Sequence, residues 1–302
     1  MFDALGGRVK HWITLNEPYC SAFLGYYEGR MAPGLRDFSA AVLAAYYLYV
    51  GHGLAVRCFR ESGLQGEIGI ALNLMGRLPY SSAPQDQVAA CSADGYLNRW
   101  FLDPLFKGGY PVDMITWYRK KGVRLPSFST EHLALINQKI DFLGINYYND
   151  FQVLHDSTVW PLEFRIQNSP NQSLTDRQWP ITEKGLTHML LRLTNEYGIQ
   201  KLLISENGAS FHDVVSLDDQ VHDGARTDYL HRHILAMHSA ISHGAPVKGY
   251  FVWSLYDNFE WGCGYSSRFG IVHVDYATQK RTIKDSGKWY SAVIAQNSAE
   301  EF

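Results

Sequence analysis

Short apolar runs alternate along this chain with longer amphipathic stretches, and the runs end in polar or aromatic residues. That alternation predicts parallel strands joined by helical crossovers, an α/β architecture. The strands are expected at Val9–Leu15, Glu67–Leu72, Ile140–Tyr147, Lys201–Ser205 and Val247–Trp253. Helices are expected over Ser39–Arg60, with Gly63 as a stop, and over Asp86–Phe101 and Pro111–Lys121. Three more follow: Thr182–Tyr197, capped by Thr182 and closed by Gly198; Ala225–Ser242, stopped by Gly244; and Asp285–Ala295. Asp156–Asp176 is polar and irregular and reads as a long surface loop. No repeat, low-complexity tract or linker divides the sequence, so residues 1–302 read as a single domain.

Eight strand–helix units of a closed barrel need about 250 residues, and the chain has 302. Only five good units are legible. The surplus residues would lie in long loops.

Charge and composition narrow the function classes. Lys+Arg is 27 against Asp+Glu 30, a net charge of -3, which lacks the basic surplus of a general nucleic-acid binder. No uninterrupted run of eighteen apolar residues occurs, so no membrane span is expected. The first twenty residues carry Asp3, Arg8, Lys10 and Glu17 and no apolar signal core, which points to a cytoplasmic protein. Cys20, Cys58, Cys91 and Cys263 are far apart and form no C-x-x-C pair, so they read as buried or incidental thiols in a reducing compartment. His231 and His233 stand two apart on a predicted helix and face different ways, a poor metal pair, and read as surface residues. His11 and His222 have no partner that the sequence names. Neither a metal nor a cofactor is expected. Aromatic residues reach 14%, most of them needed for a core and some available to line a sugar site.

The strand ends carry the candidate chemistry. They are Asn16-Glu17, Asn146-Tyr147-Tyr148 and Glu206-Asn207, with the fifth strand running into Trp253-Ser254-Leu255-Tyr256-Asp257-Asn258-Phe259-Glu260-Trp261. Parallel barrel strands present their carboxyl ends around one mouth, where barrel active sites lie. Two glutamates facing each other there suit glycoside hydrolysis, one protonating the leaving oxygen and one meeting the anomeric carbon. Sequence signatures of serine hydrolases, phosphate-binding loops, dinucleotide sites and zinc proteases are absent.

Three stretches are recognisable. Thr14-Leu15-Asn16-Glu17-Pro18 matches the pattern T-[FL]-N-E-P, and Ile204-Ser205-Glu206-Asn207-Gly208 matches [IV]-x-E-N-G. The third runs from Gly249-Tyr250-Phe251-Val252-Trp253 through Arg268-Phe269-Gly270 to Val274-Asp275-Tyr276. On these residues the sequence resembles the family 1 glycoside hydrolases, the retaining β-glucosidases, from its first residues to about Ala295. The resemblance implies Glu17 as acid/base, with a raised pKa, and Glu206 as a nucleophile kept ionised by donors, Tyr148 among them. It implies Asn16 at the sugar 2-hydroxyl, Glu260 at the 4- and 6-hydroxyls, Trp261 as an indole donor and Trp253 as a stacking floor. Asn146 and Phe269 complete the wall. The implied substrates are neutral β-glucosides or short β-linked oligosaccharides, not 6-phosphoglycosides.

The sequence also departs from the family. Met1 to Lys10 resembles x-F-x-x-[FL]-G-D-R-V-K, with Gly7 for the usual Asp, and the roughly three β/α units that precede this point in the family are not in the sequence. Those units normally supply a glutamine, an arginine beside the nucleophile and a histidine–tryptophan pair. Asp176-Arg177-Gln178-Trp179 has Gln where the family often has Gly, and Gly262-Cys263 lies on the expected rim. The resemblance therefore implies an incomplete TIM-type (β/α)8 barrel with about five β/α units present; five parallel strands cannot close a barrel, so two unpaired edges and a homo-oligomer are expected. The alternative is a catalytically weak or inactive carbohydrate-binding fragment.

Overall fold

All five of the apolar runs pair side by side in the computed structural model, which describes residues 1–299. The last three residues of the expected 1–302 domain lie outside the described residues. In chain order the first elements are α1 (Phe2–Leu5), β1 (His11–Asn16), a π-helical turn (Cys20–Leu24), α2 (Phe38–Glu61), β2 (Glu67–Asn73) and β3 (Arg77–Pro79). Then come α3 (Pro84–Asp94), a second π-helical turn (Gly95–Arg99), α4 (Trp100–Phe106), α5 (Val112–Lys120) and α6 (Thr130–Ile136). After β4 (Phe142–Asn146), β5 (Phe151–His155) and β6 (Phe164–Gln167) follow α7 (Glu183–Tyr197), β7 (Leu202–Asn207) and α8 (Gly224–Ser242). The chain continues with β8 (Val247–Val252), a 3-10 turn (Trp261–Cys263), β9 (Val272–Val274), β10 (Arg281–Ile283) and α9 (Asp285–Gln296).

The main sheet has the order β1-β2-β4-β7-β8, and every neighbouring pair is parallel. This is an incomplete (β/α)8-type barrel. Burial grades across it. β4 is buried along its whole length, while β1 and β8 at the two edges leave Ile13 and Phe251 exposed. The core lies between the sheet and its crossover helices. Ala41, Val42, Ala45 and Tyr49 of α2 and Leu186, Leu190 and Leu193 of α7 pack with Ile70, Leu72, Leu143, Ile145, Leu202 and Ile204 of the strands.

Several expectations need correction. The single helix over Asp86–Phe101 starts earlier, at Pro84, and passes through the π-helical turn into α4, and α6 was not foreseen. The loop Asp156–Asp176 contains β6, which pairs antiparallel with β5 in a small three-stranded sheet. Gly198 does close α7 in the left-handed conformation at φ 64°, but the Thr182 hydroxyl does not cap it and accepts instead from the Asp150 N–H at 2.7 Å. His233 is fully buried, not a surface residue. Its ring stacks on Tyr229 at 3.9 Å, Nδ1 lies 2.7 Å from the Tyr229 carbonyl, and burial lowers its pKa to about 4. His231 is partly buried, with Nε2 2.9 Å from the Ala299 carbonyl. His11 meets Glu67 at 3.1 Å, and His222 meets Asp285 at 2.6 Å and Asp218 at 3.1 Å, partners too remote in sequence or too exposed to name beforehand. Cys58 and Cys91 are exposed free thiols, which fits the incidental reading.

α2 is long and apolar enough to cross a bilayer by length and composition. In the fold, Phe38, Ala41, Val42, Ala45, Tyr46, Tyr49, Val56 and Phe59 of this helix are buried in the protein itself.

Candidate active site

The site grows from irregularities at the carboxyl ends of the strands. Pairing slips between Ile13 and Asn16 on β1, between Ile145 and Asn146 on β4, and between Ile204 and Asn207 on β7. A regular strand sends successive side chains to opposite faces, and a bulge re-aims them. Glu17 completes the change of direction with φ 47°, in the left-handed region that glycine favours, and its N–H donates to the Ala71 carbonyl at 2.9 Å. Such strain at a non-glycine residue is held by its surroundings and clusters at functional sites. Asn16 and Glu17 thus both serve the same mouth.

One hydrogen-bonded chain joins the two glutamates. Asn16 Nδ2 donates to Glu206 Oε1 at 3.2 Å, and Asn146 Nδ2 donates to Asn16 Oδ1 at 3.0 Å and to Glu17 Oε1 at 2.9 Å. The Ser205 hydroxyl fixes this amide by donating to Asn146 Oδ1 at 2.6 Å. The Tyr148 hydroxyl donates to Glu206 Oε2 at 2.6 Å, where the sequence places it. On the other side of the acid/base candidate, the Cys20 thiol donates to Glu17 Oε2 at 3.1 Å.

The expectation that donors keep Glu206 readily ionised is reversed in this geometry. Burial, and next the charge of Glu17, push its carboxyl up to about 7, outweighing Tyr148, Asn16 and Asn146. Both disfavour the charged form.

The segment after β8 forms the opposite wall. Trp253 is half-buried, and its N–H donates to the Asn207 carbonyl at 2.9 Å. The glycine of Glu206-Asn207-Gly208 is required there, since a Cβ on Gly208 would lie 1.8 Å from the Trp253 carbonyl oxygen. Glu260 pairs with Arg177 at 3.7 Å, and the Arg177 guanidinium lies over Trp179 at 4.8 Å. Burial raises the Glu260 carboxyl, opposed by Arg177. Phe269 is buried and shares an aromatic cluster with Tyr148 and Trp179. Trp261 is not drawn in: it sits on the 3-10 turn with Cys263 and is 66% exposed. Gln178 holds φ 60°, so the backbone that glycine adopts freely survives the change of side chain.

Beneath this wall lies a buried ion network. Arg226 pairs with Asp213 at 2.7 Å and Asp223 at 2.5 Å, Lys284 with Asp213 at 2.5 Å and Asp257 at 2.8 Å, and Arg268 with Asp257 at 2.6 Å. Three acids meet three bases, which satisfies charges that could not be buried alone. Asp257 also accepts from the Gly270 N–H at 3.0 Å, and Arg226 donates to the Arg268 carbonyl at 2.8 Å. The root of the segment from Trp253 to Phe269 is thereby tied to α8 and to the start of α9.

Sequence reasoning missed Cys20, Ser205 and the Arg177–Glu260 pair as site components. Only the place of Ser205 in the Ile204-Ser205-Glu206-Asn207-Gly208 stretch offers a signal, and period two alone would turn it to the opposite face. Among the described residues no group of three His, Cys, Asp or Glu is arranged to hold a metal.

Comparison with known proteins points to one family. The family model for glycosyl hydrolase family 1 matches residues 1–299. The chain is 42% identical over 304 residues to beta-glucosidase A of Thermotoga maritima, covering 100% of this chain and 67% of that protein. It is 43% identical over 300 residues to the 1,4-beta-D-glucan glucohydrolase of Thermotoga neapolitana, covering 98% of this chain and 66% of the relative. Among solved structures, a family 1 β-glucosidase from Thermotoga maritima superposes with a TM-score of 0.95 at 42% identity, over 99% of this chain and 67% of that one. The same enzyme in complex with isofagomine lactam gives a TM-score of 0.93 at 43% identity, over 98% and 66%. The chain thus spans about two thirds of the length of the relatives it matches.

Proposed function

The chain belongs to glycosyl hydrolase family 1, and on that premise we propose that it carries the catalytic pair of a retaining β-glucosidase acting on terminal β-D-glucosyl residues. The observation that carries this reading is the Glu206–Asn16–Asn146–Glu17 chain at the ends of parallel strands. Glu17 protonates the glycosidic oxygen while Glu206 attacks the anomeric carbon and forms a glycosyl-enzyme. Glu17, left as a carboxylate by the first step, then takes a proton from the water that releases the sugar and frees Glu206. Asn16 and Glu260 bind sugar hydroxyls, Trp253 supplies the stacking floor, and Trp261 joins once it is drawn inward. The preference is for neutral glycosides, because a 6-phosphate would approach Glu260. Pairing with Arg177 screens that repulsion, so the discrimination is smaller than a lone carboxylate would impose.

Completion of the site belongs to the same proposal. A carboxyl with a pKa of about 7 is only partly ionised at neutral pH, and a protonated Glu206 cannot attack. The free edges of β1 and β8 offer the place where strands of a second copy pair and bring a further cation or donor toward Glu206. The fragment reading, with weak catalysis, draws on the same open edges.

The test replaces Glu206 by Gly. Hydrolysis of an aryl β-glucoside should fall to background and recover in part with azide, yielding the α-glycosyl azide; the β-azide would exchange the two roles. Glu17→Ala should slow alkyl glucosides by about 10²–10⁴-fold and nitrophenyl glucosides much less. Light scattering alongside activity decides the assembly: a monodisperse, fully active monomer ends the self-association proposal.

A further inference from the structure

We infer that Cys20 is a positioning residue for Glu17, its thiol holding the Oε2 side of the carboxylate while Asn146 holds the Oε1 side. The inference rests on the reading of Glu17 as acid/base. It begins in the backbone. Glu17 stands at φ 47°, and its carbonyl accepts from the Cys20 N–H at 2.9 Å. The chain then enters the π-helical turn Cys20–Leu24, and a π-turn in a short helix is a frequent companion of a functional residue. This tight return brings Sγ to 3.1 Å from Glu17 Oε2, while Asn146 Nδ2 lies 2.9 Å from Oε1. Each carboxylate oxygen therefore has one donor, and the two differ in strength.

That difference suits the reaction. The amide N–H is a firm donor and commits Oε1 as an acceptor. A thiol is a weak donor and a weak acceptor. It fixes the carboxylate rotamer without binding the charge tightly, and leaves Oε2 as the oxygen that releases and regains the proton. A hydroxyl could hold the orientation in the same way, whereas a methyl group could not.

The electrostatics agree with the geometry. Burial, then the charge of Glu17, then the hydrogen bond to it push the Cys20 thiol well above its usual range. Glu206 raises it further, and Arg30 from the following loop opposes them. Around the Glu17 carboxylate itself stand Glu206, Tyr148 and Glu260.

The first experiment needs no catalysis. Alkylation of Cys20 by iodoacetamide is followed by peptide mass against pH in the unmodified chain and in Glu17→Gln, with exposed Cys58 and Cys91 as internal references. Removing the charge should speed Cys20 alkylation by about tenfold at a given pH, because more of the thiol is then thiolate, and leave the references unchanged. Equal rates overturn the inference. Should Glu17→Gln not fold, Glu17→Asp, which withdraws the carboxylate by one methylene, gives the same readout. The second experiment compares Cys20→Ala and Cys20→Ser on alkyl and nitrophenyl glucosides. Cys20→Ala should lower kcat about tenfold on the alkyl substrate and little on the nitrophenyl one, and Cys20→Ser should restore most of the loss. An equal loss on both substrates, or no loss, assigns Cys20 to packing only. If Glu17→Ala itself lacks the leaving-group dependence while Glu17→Gln still frees the thiol, the acid/base reading falls and the contact stands.

Discussion

β4 and β8 belong to one sheet and end in residues of the same candidate site, yet they differ throughout their length. β4 is buried at every position, and its last residue, Asn146, is engaged by Asn16, Glu17 and Ser205. β8 leaves Phe251 57% exposed, and the segment beyond it exposes Leu255, Phe259 and Trp261. The sequences of the two strands are similarly apolar. What separates them is the number of neighbours: β4 has a strand on each side, and β8 has one. Polar groups on the middle strands are organised because the backbone beneath them cannot shift. At the edge, apolar side chains such as Phe251 stand where another layer would cover them.

The contrast makes measurable claims. Ile145→Ala in β4 should destabilise the chain by about 2–5 kcal/mol, seen as a lower urea midpoint at unchanged slope. A loss below 1 kcal/mol there would show that the middle of the sheet is as loose as its edge. Next comes the pH dependence of Glu206. Its carboxyl rises from 4.5 to about 7 on folding, so the fold binds its proton more tightly than the unfolded chain does. The contribution is therefore fully present below pH 4.5 and is lost as pH rises through 7, on the order of 3 kcal/mol. Thermal melts at pH 5 and pH 8 should differ by less in Glu206→Gln than in the unmodified chain, and an unaltered difference would assign the dependence to other groups. Smallest is Phe251→Ser at the edge, expected within about 0.5 kcal/mol for the isolated chain. If the same substitution dissociates a larger species in sedimentation, β8 is a covered edge and the comparison holds only for the monomer.

Much of this was legible because apolar runs and their polar ends are local signals. Glu17, Glu206, Asn146 and Tyr148 lie where the strand ends place them. The boundaries were less legible, since β7 continues through Glu206 and Asn207, polar residues that pair as strand only because β4 and β8 flank them. The hairpin of β9 and β10 is three residues a side, too short for a period to register. Arg177 and Glu260 stand far apart in sequence, and only the folded rim brings them to 3.7 Å. His233 misled because a histidine reads as polar, while its stacked ring on Tyr229 is an apolar core group. The rise at Glu206 is not legible in the sequence, because donors are visible as residue types, whereas burial emerges only from the fold.

The ion network beneath the rim constrains how this chain can drift. Asp213, Asp223 and Asp257 balance Arg226, Arg268 and Lys284. A single replacement of one charge by a neutral side chain leaves an odd ion in the interior, which costs more than the pair is worth. Mutational paths through these six positions therefore run in compensating pairs and are slow. The tip of the same segment beyond Glu260 and Trp261, from Gly262 to Tyr265, holds none of these charges. Descendants of this sequence can alter the tip one residue at a time, trying new leaving groups, while the root that aims Glu260 stays put.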